Sequence, residues 1–568
     1  MAYPESKRLI YETKFPGLTS ALECLNLRHD GGALVSRPGF KTLITAGGNI
    51  RGAWYGSYDG AVESRWHYVV GAGVYRLNPD GAAHIGALAT TEGEVSFYFF
   101  AGALYLLDGA NIYLIGAEGA AVLEGEIPTV AISNGAGPGK VVTEPNLMND
   151  RVKEVFYLNS STASVQLSRR ALSVHEVRKN GALLSGWTLN YGDVGTVVTF
   201  AQQIHGYATV EVIYTPLTQG GDTASLRAKL RRCRHAAVWG GVGASAVLLW
   251  GADPNTVFAS ELKTGSPCGG YFTRDGVFSV GSAHPLNAIV RRGSRALAFT
   301  RGECFLLTQK KIGEATDKNG VVLGSRHGYH SSMLNESVGA YRPGGAVMAG
   351  RAPISVDRGG VWLWNASYVA GERDAERIIG CPDLDDETLS AADLRYDAPH
   401  GEIWLCAGGR TLVYNEKRKE WYKYDFCPDF CLDFEGRTAA VFGGTLAVFE
   451  DGYCFDGDIP ITVGYKGNWK DCGEPIRRKT AAFATITMGA GSNAVAAFAD
   501  GTTESGDIVS RQILTRAAGD APVVCRSRIR LGRVDHIRLR FSGEAPVKLL
   551  SAEIYSTAEG GGENKTRR

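Results

Sequence analysis

Six stretches of this chain repeat one short plan: an apolar, aromatic-rich run, a glycine-bearing turn, and a second such run. They are WHYVVGAGVYRLNPDG (66–81), VSFYFFAGALYLLDGANIYLIG (95–116), NAIVRRGSRALAFTRGECFLLT (287–308), PISVDRGGVWLWN (353–365), GEIWLCAGGRTLVYNEKRKEWYKYD (401–425) and TAAVFGGTLAVFEDGYCFDGD (438–458). Runs of this length joined by GAG, AGG, FGG or NPDG are hairpins, because glycine reaches positive φ without steric cost. Gly71, Gly73, Gly102, Gly408, Gly409, Gly443 and Gly444 therefore mark turns. Some runs alternate in polarity (Tyr75 and Leu77, Leu412 and Tyr414). Others are continuously apolar, as strands buried on both faces are. Recurrence at roughly 35–50 residues is the pattern of a β-propeller, here with an irregular period. The 73 glycines in 568 residues thus read as hairpin punctuation. With 20 prolines and no Gly-X-Y period, neither a disordered linker nor a collagen-like rod fits.

Two segments break the rhythm. The glycine-rich stretch 133–139 opens into period-two strands around a Lys179-Asn180-Gly181 turn, which predicts a small inserted β-sandwich. A second sandwich is predicted near the C-terminus, from TAAFATITMG, NAVAAFADGT, SRIRLGRVDHIRLRFSG and VKLLSAEIYS. The expected fold class is all-β: an irregular propeller with an inserted and a C-terminal β-sandwich and few short helices. The expected partition is 1–50, an N-terminal arm with the first propeller strands; 51–126, the first blades; 127–221, the inserted sandwich; 222–458, the remaining blades; 459–557, the C-terminal β-domain; and 558–568, a disordered tail. Helices are expected over 222–235, with Leu226, Leu230 and Cys233 on one stripe, and over 387–394 after Asp385-Asp386. No apolar leader and no window near 18 apolar residues is present, which predicts cytoplasmic synthesis and no membrane segment.

The search for chemistry returns little. Sixty basic against 59 acidic residues leave a formal charge of +1, which excludes a strongly basic nucleic-acid coat on bulk charge. Among 11 cysteines only Cys427 and Cys431 lie close, as C-x3-C with no second pair at zinc spacing. Reduced structural thiols, with no metal and no cofactor, are the expectation. The run from Asn134 to Lys140 lacks the first glycine and the hydroxyl of a phosphate loop. His327 and His330 have no third ligand at motif spacing, and Asp383, Asp385 and Glu387 read as helix-capping acids rather than a calcium loop. Ser355, Asp357, Gly359 and Trp362 fit the S-x-D-x-G-x-x-W hairpin of sialidase-type propellers, a structural turn in which the tryptophan packs between strands. Arg227, Lys229, Arg231, Arg232 and Arg234, with Arg291, Arg292 and Arg295, have two readings: a solvated or subunit-facing surface, or contact with phosphate along a channel. Arg526, Arg528 and Arg530 share one face of a strand with the same two readings.

The N-terminal residues are the most diagnostic. FPGLTSALECLN (15–26) followed by DGGALVSRPGF (30–40) resembles the opening of propeller-type bacteriophage tail proteins. These are the tail nozzle (tail tubular) proteins of short-tailed phages and the related packaged-DNA stabilisation proteins. Gly32, Leu34, Arg37, Pro38 and Gly39 match that group's G-x-L-x-x-R-P-G turn. FSVG (278–281), NAIV (287–290) and ALAF (296–299) resemble its mid-propeller blade, and NWKDCGEPIRRK (468–479) the entry to its C-terminal β-domain. The resemblance implies a virion structural protein and not an enzyme. It implies a ring, usually of six subunits, that encloses the DNA channel, retains the packaged genome and conducts it during ejection. The implied partners are further copies of the chain, adaptor or portal-side proteins, distal tail or fibre proteins, and transient, non-specific double-stranded DNA. A charge near zero is compatible with a conduit, since dense lysine and arginine hold DNA through counterion release. The alternatives are a glycan-binding or interaction propeller at a tail tip, and a sialidase-like glycosidase using arginines such as Arg37, Arg291 and Arg358.

Overall fold

Where Gly408 and Gly409 stand, both at positive φ, the chain reverses between Glu402–Ala407 and Arg410–Asn415 in two residues. The same device recurs along the chain, and the result is an all-β protein built on four-stranded antiparallel meanders of the propeller type. A computed structural model describes residues 8–558 apart from 14, 62, 193–194, 218–221, 242–243, 264–265, 294, 317–321, 365–374, 379, 381 and 383. The chain divides into two units: Met1–Gly47, Arg358–Leu363 and Arg377–Arg568 in one, Gly48–Asp357 and Trp364–Glu376 in the other.

Among the described residues the second unit holds four complete meanders. The first is Ile50–Gly56, Arg65–Val70, Gly73–Asn78 and Gly81–Ala87. The next runs from Ser96–Phe100 through Ala103–Leu107 and Ile112–Gly116 to Gly119–Val122. Cross-strand aromatic pairs fix register in both: Tyr68 faces Tyr75 and Tyr98 faces Tyr105, with stacked rings 5.4 and 4.9 Å apart. Two more occupy His235–Gly241 to Ser266–Ser279 and Leu286–Arg292 to Val322–Asn335. A fifth meander comprises Ala346–Ala349, Ala352–Asp357, Gly360–Trp364 and Ala375–Arg377.

Between the second and third meanders lies the sandwich. Its larger sheet contains Thr129–Ser133, Val152–Leu158, Ala208–Pro216 and Ala171–Lys179; its smaller one contains Thr162–Gln166, Thr196–Ile204 and Trp187–Tyr191. Val152, Phe156, Val165, Val198, Val212 and Tyr214 form the core between them.

In the first unit, Asp393–Asp397, Glu402–Ala407, Arg410–Asn415 and Glu420–Tyr424 make a meander whose second strand is buried at every position. Phe430–Phe434, Arg437–Phe442 and Thr445–Glu450 need a fourth strand, and Gly39–Thr45 supplies it, antiparallel to Thr445–Glu450. The C-terminal sandwich packs Lys479–Met488, Val523–Val534 and Lys548–Ala558 over Thr462–Gly467, His536–Glu544, Ala496–Thr502 and Ile508–Ile513. Ile486, Leu531, Leu539 and Ile554 lie in its core, beside a ring cluster of Phe15, Tyr465 and Phe541.

Three local expectations change. Of the described residues among 1–50, only Gly39–Thr45 and Ile50 belong to propeller-type strands. Arg8–Thr13 and Ala33–Ser36 pair with the last strand, and Leu27–Asp30 pairs with Ala33–Ser36 in the same sheet of the C-terminal sandwich. Ala21–Leu25 joins Glu420–Tyr424 to Thr462–Gly467, fusing a meander and a sandwich sheet. The first helix (α1) is Asp222–Arg231 and stops short of His235, which opens a strand paired to Trp250. The second (α2) is Asp386–Ser390, capped by Asp385 accepting from the Thr388 N–H at 2.6 Å. It ends early because Asp393–Asp397 is claimed by pairing with Glu402–Ala407. The expected tail lies outside the described residues from 559 onward, as does Asp383.

The turn at Ser355–Trp362 also differs in its tryptophan. Trp364 is fully buried and donates its indole N–H to the Ser355 hydroxyl at 2.9 Å, while Trp362 is half-buried. Trp364 also packs edge-on against Phe299 at 5.2 Å. Both tryptophans share a strand face, so the pattern alone does not say which one enters the core. Ser355→Ala leaves a buried indole N–H unpaired and is expected to cost about 1–3 kcal/mol in urea unfolding. A change below about 0.3 kcal/mol would show that this bond does not hold the turn.

Candidate functional site

The Gly32–Gly39 segment organises the best-built polar centre of the first unit. Gly31 and Gly32, at φ +53 and +85, turn Leu27–Asp30 back into Ala33–Ser36, and Leu34 is fully buried. Arg37 then enters the interior with no exposed side-chain surface. Its Nη2 donates to Asp456 Oδ2 at 2.5 Å and Asp425 Oδ1 at 2.9 Å, and its Nη1 to Asp456 Oδ1 at 2.8 Å. Its Nε donates to Asn26 Oδ1 at 2.9 Å, and the guanidinium lies 4.7 Å from the Phe426 ring centre. Burial works against the charge, but the hydrogen bonds and charge of Asp456, then of Asp425, outweigh it and raise the Arg37 pKa. Pro38 carries the chain to Gly39, where a Cβ would stand 2.1 Å from the Phe455 carbonyl oxygen. The turn motif is therefore a clamp that fastens the N-terminal segment to strands more than 380 residues further along.

A second buried polar group adjoins the same strands. Glu402, 1% exposed, accepts from the Tyr424 hydroxyl at 3.1 Å and the Trp404 indole at 3.3 Å, with Arg28 Nη1 at 3.9 Å. Burial raises its pKa, with Arg28 opposing. His400 lies between Asp397 at 2.5 Å and Asp451 at 3.0 Å, and Asp397 also accepts from Thr438. No motif announced this group; its trace in the sequence is one glutamate directly before the apolar run IWLCA. A carboxylate with so little access to solvent orders strands rather than meeting a substrate.

Two of the basic residues on the first helix are individually engaged. Arg227 Nε donates to the Leu147 carbonyl at 2.8 Å, and Lys229 pairs with Asp253 at 2.5 Å, which holds the Asp253 carboxyl below its usual range. The Arg234 side chain lies against Gly109, and Arg232 is exposed. Arg227 and Arg231 line a cleft of about 600 Å³ that they share with Glu124, Glu126, Asp150 and Arg151. Its walls are of mixed sign, unlike a phosphate track. Arg292 and Arg295 face each other across a hairpin end, and exposed Arg291 bonds the Gly293 carbonyl at 3.2 Å. Arg526, Arg528 and Arg530 do share one exposed face of Val523–Val534.

Three further candidates resolve. His327 is buried against Glu261, its Nδ1 2.9 Å from Oε2 and its backbone N–H donating to Oε1, while His330 is exposed. Arg37, wholly enclosed by its ion pairs, is not presented to any carboxylate ligand. Among the described residues no group of three or more His, Cys, Asp or Glu is arranged to hold a metal ion.

Architecture and sites together define an all-β protein with propeller-type meanders, two sandwiches and a buried arginine clamp. No protein-family model and no curated protein matches the chain. Among solved structures it is similar to that of BBS1N in complex with ARL6DN, at 11% identity over 74% of this chain and 98% of that one. The TM-score of 0.27 is too low for that likeness to bear on function.

Proposed function

We propose that this chain is a virion structural protein of a tailed bacteriophage, a nozzle or head-proximal stopper. In this reading copies of the chain form a ring around the DNA channel, retain the packaged genome and conduct it during ejection. The observation that carries the reading is the Gly32-x-Leu34-x-x-Arg37-Pro38-Gly39 segment at the head of an all-β chain with propeller-type meanders. Cross-strand hydrogen bonding through most of the molecule suits a wall under mechanical load, and a net charge of +1 suits one that does not grip DNA.

The test is the mass and shape of the purified protein. Mass photometry and negative-stain electron microscopy are expected to show a ring with a central lumen, six subunits being the expected order. A strict monomer, absent from particles, overturns the proposal. Glycan-array binding with localisation at a distal tip would replace it by the interaction reading, and sialoside turnover by the glycosidase reading.

A further inference from the structure

The C-terminal sandwich leaves one face of a sheet open. In the middle strand of that sheet, Lys479–Met488, Ala484 and Ile486 point into the core, so by alternation Phe483, Thr485 and Thr487 point the other way. Val523–Val534 pairs with this strand on one side and Lys548–Ala558 on the other. The outward residues therefore stand in rows. Tyr555, Phe483 and Arg528 form one row, which Ile10 extends beyond Tyr555. Glu553, Thr485 and Arg526 form the next. Ile10 is 56% exposed, Phe483 is 44% exposed, and both arginines are exposed. Ile10, Phe483, Tyr555 and Arg526 border a hollow of about 460 Å³. Glu553 accepts from the Tyr555 hydroxyl, whereas Arg526 and Arg528 have no acidic partner among the described residues. Aromatic, aliphatic and arginine side chains exposed together have the composition of a protein interface.

We propose that this face docks on the same face of a second copy of the chain, about a two-fold axis running along Lys479–Met488. Sheets packed face to face lie about 10 Å apart with their strands nearly aligned, so register carries across the contact. The axis lays Val523–Val534 of each copy over Lys548–Ala558 of the other. In the first row it brings Arg528 over the Tyr555 ring, a cation–π arrangement, and sets Phe483 against Phe483 of the second copy, beside the hollow. In the second row it brings Arg526 over Glu553. Each pair occurs twice, because a two-fold contact uses one patch on both copies.

Charge complementarity selects this occupant and this axis. Base stands on one flanking strand and acid on the other, in a single row, with apolar residues in the row beside it. An axis across the strands would instead lay Val523–Val534 over itself and oppose arginine to arginine, which is unfavourable. A patch four strands wide and about six residues long covers about 400 Å² per copy, below the standard interface size, so the contact is weak and reversible. A two-fold contact closes at two copies and builds no ring, so the assignment is independent of the role in a tail.

Sedimentation velocity of the full-length protein from about 1 to about 100 µM is expected to show a reversible doubling of mass that salt weakens. Arg526→Glu and Glu553→Arg are each expected to weaken association at least about ten-fold, since each sets like charges together twice. Mixing the two variants is expected to restore association, because acid then meets base at both places. Phe483→Asp is expected to abolish it. A wild-type mass that does not change with concentration overturns the proposal, as does a mixture no more associated than its components. Sensitivity to Arg526→Glu without sensitivity to Glu553→Arg overturns the two-fold arrangement. Duplex DNA binding that depends on Arg526, with no self-association, replaces the proposal by phosphate contact. Circular dichroism checks that each variant folds; should one not, the wild-type concentration and salt series decide by themselves.

Discussion

Arg37→Met is expected to destabilise the protein by about 3–5 kcal/mol, because it removes one partner from a buried ion pair and leaves the others uncompensated. Asp456 meets Arg37 through both carboxylate oxygens and Asp425 adds a third charged hydrogen bond. Asn26, which accepts from Arg37 Nε, also accepts from the Asp425 backbone N–H at 3.2 Å, so the loss spreads into the chain around it. Arg37→Lys keeps the charge but cannot reproduce the planar fork, and is expected to retain only part of the stability. Urea unfolding followed by tryptophan fluorescence gives both values. The informative control is a double-mutant cycle with Asp456→Asn: coupling of about 2 kcal/mol or more between the two positions is expected. A loss below about 1 kcal/mol for Arg37→Met, or additive single variants, would mean that Arg37 is not what fastens the N-terminal segment.

That prediction rests on something the sequence displays without explaining. The hairpins were legible because turn and strand are local: Gly408-Gly409 between two apolar runs needs no partner elsewhere. The inserted sandwich was legible for the same reason, as Ala208–Pro216 alternates in polarity along its own length. Strand ownership was not. Leu27–Asp30 and Ala33–Ser36 are short and carry Arg28, His29 and Asp30, and their place in the C-terminal sandwich follows from pairing with Lys548–Ala558 at the far end of the chain. Register of that kind is decided by which edge is free in the folded protein. The polar centres follow the same rule. Arg37 stood out as part of a turn, but its acids Asp425 and Asp456 sit in unrelated segments, and Glu402 looks in sequence like the polar end of a core strand.

Acid is expected to act first on the second unit, through two histidines held neutral. His67 is fully buried between Trp54 and Tyr58, and burial lowers its pKa to about 4 from an ordinary value of 6.5. His235, half-buried beside Trp250, is lowered to about 4 by burial and then by the charge of Arg234. In each case the unfolded chain binds a proton near pH 6.5 that the folded chain refuses until about pH 4, so the unfolded state gains protons across that window. Stability is therefore full above pH 6.5 and falls as pH drops toward 4, by about 3 kcal/mol for His67 and somewhat less for His235. His400 in the first unit has the opposite sign. Burial disfavours its charge, but the hydrogen bond and charge of Asp397 outweigh that and raise its pKa. Its contribution is whole below pH 6.5 and is lost as pH rises through the folded value. Urea unfolding at intervals from pH 8 to pH 4 is expected to show the loss on the acid side, and His67→Gln to flatten the slope between pH 6.5 and 4. A wild-type profile that is level across that window, or a His67→Gln profile that keeps the full slope, would show that His67 is not carried neutral into the fold.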